Sequence, residues 1–217
     1  MLVGERMSRH PITVRHDVGI DKALNVMRDN KVRRLPVINR QGALVGIVSE
    51  KDLLLASPSP ATSLSIYEVH YLLSQMKVSE VMTEEVITVT EYTALEEAAC
   101  IMIDNKIGGL PVMRDDKMVG IITETDLFKM FVELLGARDP GVRITMLVPE
   151  QPGELAHITS EIADMGGNIV ALGTFLGEDP TNRLVTIKVA GVGEEKLAAT
   201  MEAIGMELVD VRSNKVC

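Results

Sequence analysis

Tryptophan is absent from these 217 residues, and aromatic side chains make up only 3% of them. The chain therefore lacks the stacking platforms that usually grip single-stranded nucleic acid. Cysteine occurs only twice, as Cys100 and Cys217, in no metal-ligand spacing, so neither a metal centre nor a structural disulfide is expected. Cys100 is expected on the apolar face of a helix. No apolar run is long enough to span a bilayer and the N-terminus has no secretory core, which makes a cytoplasmic location the expectation. Positive charge is in deficit, with 22 Lys and Arg against 31 Asp and Glu. The deficit holds before residue 137, with 15 basic against 19 acidic residues, and after it, with 7 against 12. Such a chain offers no extended basic face, so neither nucleic acid nor a membrane is expected as a partner. There is no P-loop and no nucleophile–base constellation; no catalytic residue, catalytic cofactor or enzyme activity is expected.

What is present is aliphatic. Hydrophobic residues reach 46% and Met numbers 13, the composition of a globular chain with an adaptable core. The clearest signal is an internal repeat. Met7-Ser8-Arg9-His10-Pro11-Ile12-Thr13-Val14 returns as Met82-Thr83-Glu84-Glu85-Val86-Ile87-Thr88-Val89, and Lys31–Val37 returns as Lys106–Val112, both at an offset of 75. Gly46-Ile47-Val48-Ser49-Glu50-Lys51-Asp52-Leu53 returns as Gly120–Leu127 at an offset of 74. Three ordered blocks with a one-residue gap mark a duplicated unit.

Each copy predicts the order β-α-β-β-α. An extended piece (Ile12–Val14; Ile87–Val89) precedes a helix whose apolar positions are Ile20, Ala23, Leu24 and Met27, or Leu95, Ala98, Ala99 and Met102. Thr93-x-x-Glu96 reads as a capping box for the second of these helices. Two strands follow (Leu35–Ile38 and Leu44–Val48; Leu110–Met113 and Met118–Ile122), then a helix from Glu50 or Glu124. A unit this small buries little alone, so two should pack together. Between the copies, Ser57–Ser63 reads as a Pro/Ser loop. Ser65-Ile66-Tyr67-Glu68 then opens a helix to about Met76. His70 on that helix reads as an ordinary helix residue, since no Asp, Ser or Cys accompanies it in a triad-like pattern.

The chemistry concentrates where strand meets helix. Gly46 or Gly120 allows a ligand or a neighbouring backbone to come close. The hydroxyl of Ser49 or Thr123 stands before a helix N-terminus, where free amides favour an anion such as phosphate. Asp52 or Asp126 follows three residues on, with a carboxylate able to accept from a ribose diol. The same spacing is also that of an ordinary capped helix start.

These paired blocks resemble a tandem CBS-domain pair, or Bateman module, over about residues 1–136. The resemblance implies adenine-nucleotide binding (AMP, ADP or ATP as a regulatory ligand) between the repeats. Phosphate would meet Ser49 or Thr123, ribose would meet Asp52 or Asp126, and adenine would lie near Thr13 and Pro36, or Thr88 and Pro111. Arg33-Arg34 in copy one is replaced by Gly108-Gly109 in copy two. By the family's pattern, Arg33 and Arg34 reach the ligand of the Thr123/Asp126 site, which is then expected to be the tighter one.

Past Asp139-Pro140-Gly141 a second pattern begins. A strand Arg143–Val148, a helix to about Met165 closed by Gly166-Gly167, strands Asn168–Phe175 and Leu184–Ala190, a helix Glu194–Ile204 and a strand Glu207–Arg212 make the ferredoxin-like order βαββαβ. The Gln-Pro-Gly-Glu-Leu turn with Gly-Gly-Asn-Ile resembles an ACT domain over 142–217. That implies an amino-acid effector at Gln151, Pro152, Gly153, Glu154, Leu155 and Asn168, or a purely dimerising role. The usual Asp of this loop stands here as Glu150. The expected fold class is thus α+β: CBS repeat 1 at 1–56, a connecting loop and helix at 57–77, CBS repeat 2 at 78–136 packed as a pseudo-symmetric pair with the first, and the ACT-like domain at 142–217. The whole series resembles the acetoin-utilisation AcuB-type family. It implies a regulatory homodimer acting on an unknown target protein, the alternative being a ligand-free adaptor that mediates oligomerisation.

Overall fold

The computed structural model describes residues 1–56 and 65–214, without the side chains of Ile66, Val69, His70 and Asn214. The Ser57–Ser63 loop, the His70 side chain and Cys217 lie outside the described residues. The chain divides into two compact units, Met1–Leu127 and Phe128–Cys217.

In the first unit, a short helix α1 (Val3–Arg6) and strand β1 (Ser8–Arg9) precede the first repeat: β2 (Val14–Arg15), α2 (Ile20–Asn30), β3 (Arg34–Ile38), β4 (Leu44–Ser49) and α3 (Glu50–Leu55). A helix α4 (Ile66–Gln75) and a short 3-10 turn at Val78–Glu80 lead to the second repeat: β5 (Val89–Thr90), α5 (Leu95–Asn105), β6 (Gly109–Arg114), β7 (Lys117–Thr123) and α6 (Glu124–Leu134), the helix within which the first unit gives way to the second. The β-α-β-β-α order is present twice. In each repeat the first strand pairs parallel with the second and the second antiparallel with the third. Buried residues recur at equivalent places: Ile20, Ala23 and Met27 on α2, Leu95, Ala98 and Met102 on α5, and Leu35 and Val37 beside Leu110 and Val112. Both α2 and α5 end on a lysine in the left-handed conformation, Lys31 and Lys106. These similar local sequences thus close their helices in one way.

The segments ahead of each repeat carry a pairing that the element order does not reveal. β1 pairs with β7 of the second repeat, Ser8 opposite Ile121. Reciprocally, Thr83 bridges to Ile47 on β4 of the first repeat. Each copy's leading segment is therefore exchanged onto the other copy's sheet. Gly46 and Gly120 make that possible. A Cβ on Gly46 would strike the Met82 sulfur and lie 3.1 Å from the Thr83 carbonyl oxygen. On Gly120 it would strike the Met7 sulfur and lie 3.0 Å from the Ser8 oxygen. The close approach expected at these glycines is made by the partner repeat's chain.

Two local expectations need correction. Thr93 does not cap α5, whose N-cap is Ala94 with no side-chain bond. Instead Thr93 Oγ1 accepts from the Thr90 amide at 3.1 Å, closing the turn before the helix. Cys100 is exposed, because the buried stripe of α5 runs through 95, 98 and 102 and leaves position 100 off it. The capping box at Ser65 is present, with Ser65 and Glu68 bonded reciprocally. α4 then places Leu73 in the first repeat's core.

The second unit contains β8 (Gly141–Pro149), α7 (Glu154–Asp164), β9 (Asn168–Leu176), β10 (Asn182–Ala190), α8 (Glu194–Ala203) and β11 (Glu207–Asn214). The sheet is antiparallel in the order β11-β8-β10-β9. Its core alternates as half-buried strands should: Val142, Ile144, Met146 and Val148 on β8, with Val185, Ile187 and Val189 on β10. These residues pack on Ile158, Ile162, Leu197 and Met201 of the helices. Lys188 is the exception, a charge only 1% exposed. Its Nζ donates to the Gly136 carbonyl at 2.7 Å, just past the end of α6, whose last turn has no basic residue of its own. A cation belongs at such a terminus, where carbonyls lack intrahelical partners.

Candidate functional site

A cavity of about 580 Å³ lies within the first unit. That size suits a small organic ligand such as a nucleotide. The strand-to-helix junction of repeat one supplies Ile47, Ser49, Glu50, Lys51 and Asp52. Arg33 and Arg34 come from the start of β3. The remaining wall belongs to repeat two, from Thr83 and Glu85–Ile87 ahead of β5 and from Asn105–Gly109 between α5 and β6.

The lining separates into three chemistries. Ile47, Val86, Ile87 and Ile107 make an aliphatic part. Ser49 and Asp52 make a hydroxyl–carboxylate pair. Arg33, Arg34, Lys51 and Lys106 bring four cations against the three acids Glu50, Asp52 and Glu85. In a chain of formal charge −9, this is a local reversal of sign.

Ser49 and Asp52 form a closed capping box. Ser49 Oγ donates to Asp52 Oδ2 at 2.7 Å, the Ser49 amide donates to the same oxygen at 2.8 Å, and Ser49 Oγ accepts from the Asp52 amide at 3.3 Å. Thr123 and Asp126 repeat the arrangement, with Thr123 Oγ1 and the Thr123 amide donating to Asp126 Oδ2 at 2.8 and 3.0 Å. The copies differ in exposure. Asp126 is 8% exposed, whereas Asp52 is half-buried and lines the cavity.

Arg33 and Arg34, expected at the Thr123/Asp126 site with the Ser49/Asp52 site short of cations, instead line the Ser49/Asp52 cavity. Arg34 does extend towards that second site: its guanidinium lies over Gly108 and stands 3.5 Å from Glu124 Oε2. Thr13, Pro36, Thr88 and Pro111 are not among the lining residues. Pro36 and Pro111 are buried inside β3 and β6, Thr13 is half-buried and Thr88 is exposed. The aliphatic residues that do line the cavity, Ile47, Val86, Ile87 and Ile107, escaped the sequence reading. The exchanged pairing of Thr83 with Ile47 brings the 85–87 segment across, and the only sequence signal for it was the repeat of Met7–Ile12 at Met82–Ile87.

In the second unit, Gln151, Pro152, Gly153 and Leu155 are exposed and Glu154 is half-buried around the start of α7. Gly153 has φ 101°. The Glu150 amide donates to the Thr181 carbonyl, and the Glu150 carboxylate pairs with Arg183. Asn168 does not join this loop. It pairs with Ala190, while Pro149 pairs with Asn182 at the other end of β10. Helix α7 carries the chain the length of the sheet between them, which separates the expected effector residues. Among the described residues, no group of three or more His, Cys, Asp or Glu could hold a metal ion, and no helix is long and apolar enough to cross a membrane.

Comparison with known proteins agrees with this architecture. The CBS domain model matches residues 3–59 and 78–133, and the TTHA0829-like ACT domain model matches residues 140–212. The AcuB structure from Vibrio cholerae is 32% identical, with a TM-score of 0.53 over 64% of this chain and 96% of that one. The CBS domain pair of protein MJ0100, solved in complex with 5'-methylthioadenosine and S-adenosyl-L-methionine, is 28% identical. Its TM-score is 0.51 over 60% of this chain and 95% of that one. A CBS domain-containing protein of Dictyostelium discoideum is 32% identical over 136 residues, 62% of this chain and 94% of its own length. With its duplicated β-α-β-β-α unit and trailing βαββαβ unit, the chain belongs to the CBS-domain family, as a tandem CBS pair followed by a TTHA0829-like ACT domain.

Proposed function

We propose that this chain is a non-catalytic regulatory protein that senses adenine nucleotides, holding AMP, ADP or ATP in the Ser49/Asp52 cavity. The observation that carries the reading is the division of one cavity into an aliphatic part, a carboxylate and a cluster of cations. Adenine fits between Ile47, Val86, Ile87 and Ile107. A carboxylate has lone pairs to spare, so Asp52 accepts from the ribose hydroxyls while keeping its bonds to Ser49. Arg33, Arg34, Lys51 and Lys106 meet the phosphates, with Ser49 as the nearby hydroxyl. The adenosine moiety shared by the two ligands of the MJ0100 pair supports the same assignment.

Thr123 and Asp126 form the second nucleotide position in this proposal, with Asp126 less accessible. A ligand that favours one arrangement of the repeats shifts their population, and this is the signal passed to a target protein. The ACT unit takes a small amino acid at the 151–155 loop or pairs two chains. A cytoplasmic homodimer is part of the proposal. It is supported by exposed apolar residues on α3 (Leu54, Leu55) and on α6 (Phe128, Phe131, Leu134), and native mass spectrometry measures it directly.

Calorimetric titration of the full chain with AMP, ADP, ATP, S-adenosylmethionine and 5'-methylthioadenosine tests the ligand. An adenine nucleotide should bind and raise the melting temperature. Asp52→Asn, which still accepts from Ser49, should weaken it about tenfold, the scale of a lost charged hydrogen bond. No binding by any of the five sinks the sensor reading and leaves the adaptor. One observation favours that second reading: in both pairs the hydroxyl already donates to the carboxylate.

A further inference from the structure

We propose that Glu124 is a built-in competitor for Arg34, so that the Ser49/Asp52 cavity selects its ligands by the anionic charge they bring; this rests on the nucleotide reading of the cavity. Arg34 is a cavity residue, yet its guanidinium crosses bare Gly108 and ends 3.5 Å from Glu124 Oε2. A side chain at Gly108 would collide with it, so the bare Gly108 is what lets Arg34 reach across from repeat one. The device exists in one direction only. The repeat equivalent of Arg34 is Gly109 and that of Glu124 is Glu50, so no second arginine faces Glu50 in this way.

The strengths of the two bonds decide the outcome. The Arg34 and Glu124 side chains are 31% and 56% exposed, and ion pairs that open to water are weak. A phosphate offers the guanidinium two parallel charged bonds in a site carrying three further cations, and it outcompetes the carboxylate. A neutral nucleoside offers Arg34 nothing and leaves the pair standing. Phosphate-bearing ligands therefore pay a small toll that adenosine does not, and they more than recover it through Arg34. Glu124 thus lowers affinity for nucleotides specifically, while Arg34 raises it.

The test is calorimetric titration of the full-length protein and its Glu124→Gln, Arg34→Gln and double variants with AMP, adenosine and inorganic tripolyphosphate. Glu124→Gln should tighten AMP and tripolyphosphate about two- to fivefold and leave adenosine unchanged. Arg34→Gln should weaken the two anions about tenfold, and in the double variant the gain from Glu124→Gln should vanish. An unaltered AMP affinity in Glu124→Gln, an equal change for adenosine, or a gain that survives in the double variant overturns the proposal. Tripolyphosphate separates it from the reading beneath it. If AMP and adenosine fail to bind while tripolyphosphate keeps the order of variants, the nucleotide assignment falls and the competitor stands. If no probe binds, both fall.

Discussion

Repeat one and repeat two share their element order, their buried positions and their exchanged leading segments, yet their strand-to-helix junctions differ. Asp52 opens onto a cavity with four cations, while Asp126, its equivalent, is 8% exposed. The copies also differ in sequence around these junctions, Arg33-Arg34 against Gly108-Gly109 and Lys51 against Thr125. A duplicated scaffold can keep its core nearly constant while its ligand-facing edges drift, because the core tolerates little change in volume and the edges are constrained only by what they meet. The lesson is that structural equivalence and functional equivalence are separate questions in a duplicated protein.

The largest test of the structural half compares Leu35→Ala with Leu110→Ala. Both leucines are fully buried at equivalent strand positions. Each substitution should cost about 2–5 kcal/mol of stability in denaturant unfolding. A loss below that range in one copy alone would break the equivalence of the two cores. A finer test probes the exchanged segments. Gly46→Ala and Gly120→Ala each force a Cβ against a methionine sulfur, which can move, and close to a backbone oxygen, which moves less easily. Each should cost about 1–3 kcal/mol. Indifference to both would mean that the exchange contributes little to holding the pair together.

The smallest expected effect is electrostatic. In repeat one, the Arg15 guanidinium, 2.5 Å away, lowers the Asp17 carboxyl from 3.8 to about 2. In repeat two, Arg114 lowers Glu91 in the same direction. A depressed carboxylate stabilises the fold above its unfolded value and loses that contribution as pH falls through its folded value. The melting temperature of the wild type should therefore exceed that of Asp17→Asn at neutral pH, and the gap should close between pH 3.8 and about 2. The Asp17 and Arg15 side chains remain 30% and 51% exposed, so water screens the pair and the gap is small. A gap that does not change with pH would show that Asp17 acts through something other than its charge.

Much of this protein was legible without coordinates. Local sequence carried the duplicated elements, because apolar spacing along a helix and the alternation along β8 and β10 follow from backbone geometry alone. It also carried the hydroxyl–carboxylate pairs, since capping is a contact between residues three apart. The failures were those of local inference near helix α5. Thr93 has the spacing of a cap, but its hydroxyl takes the Thr90 amide and closes the preceding turn.

Composition, repeat and periodicity alone determined the α+β class, the two copies and the hydroxyl–carboxylate pairs at Ser49/Asp52 and Thr123/Asp126. Only the tertiary structure decided which residues surround the cavity. It brought Val86 and Ile87 beside Ile47, set Arg34 across Gly108 to Glu124, placed Asn168 and the 151–155 loop at opposite ends of a sheet, and buried Lys188 against the Gly136 carbonyl. The physical reason is distance along the chain. Elements arise from neighbours a few residues apart, whereas a site is assembled by pairings such as Ser8 with Ile121, which no local pattern encodes.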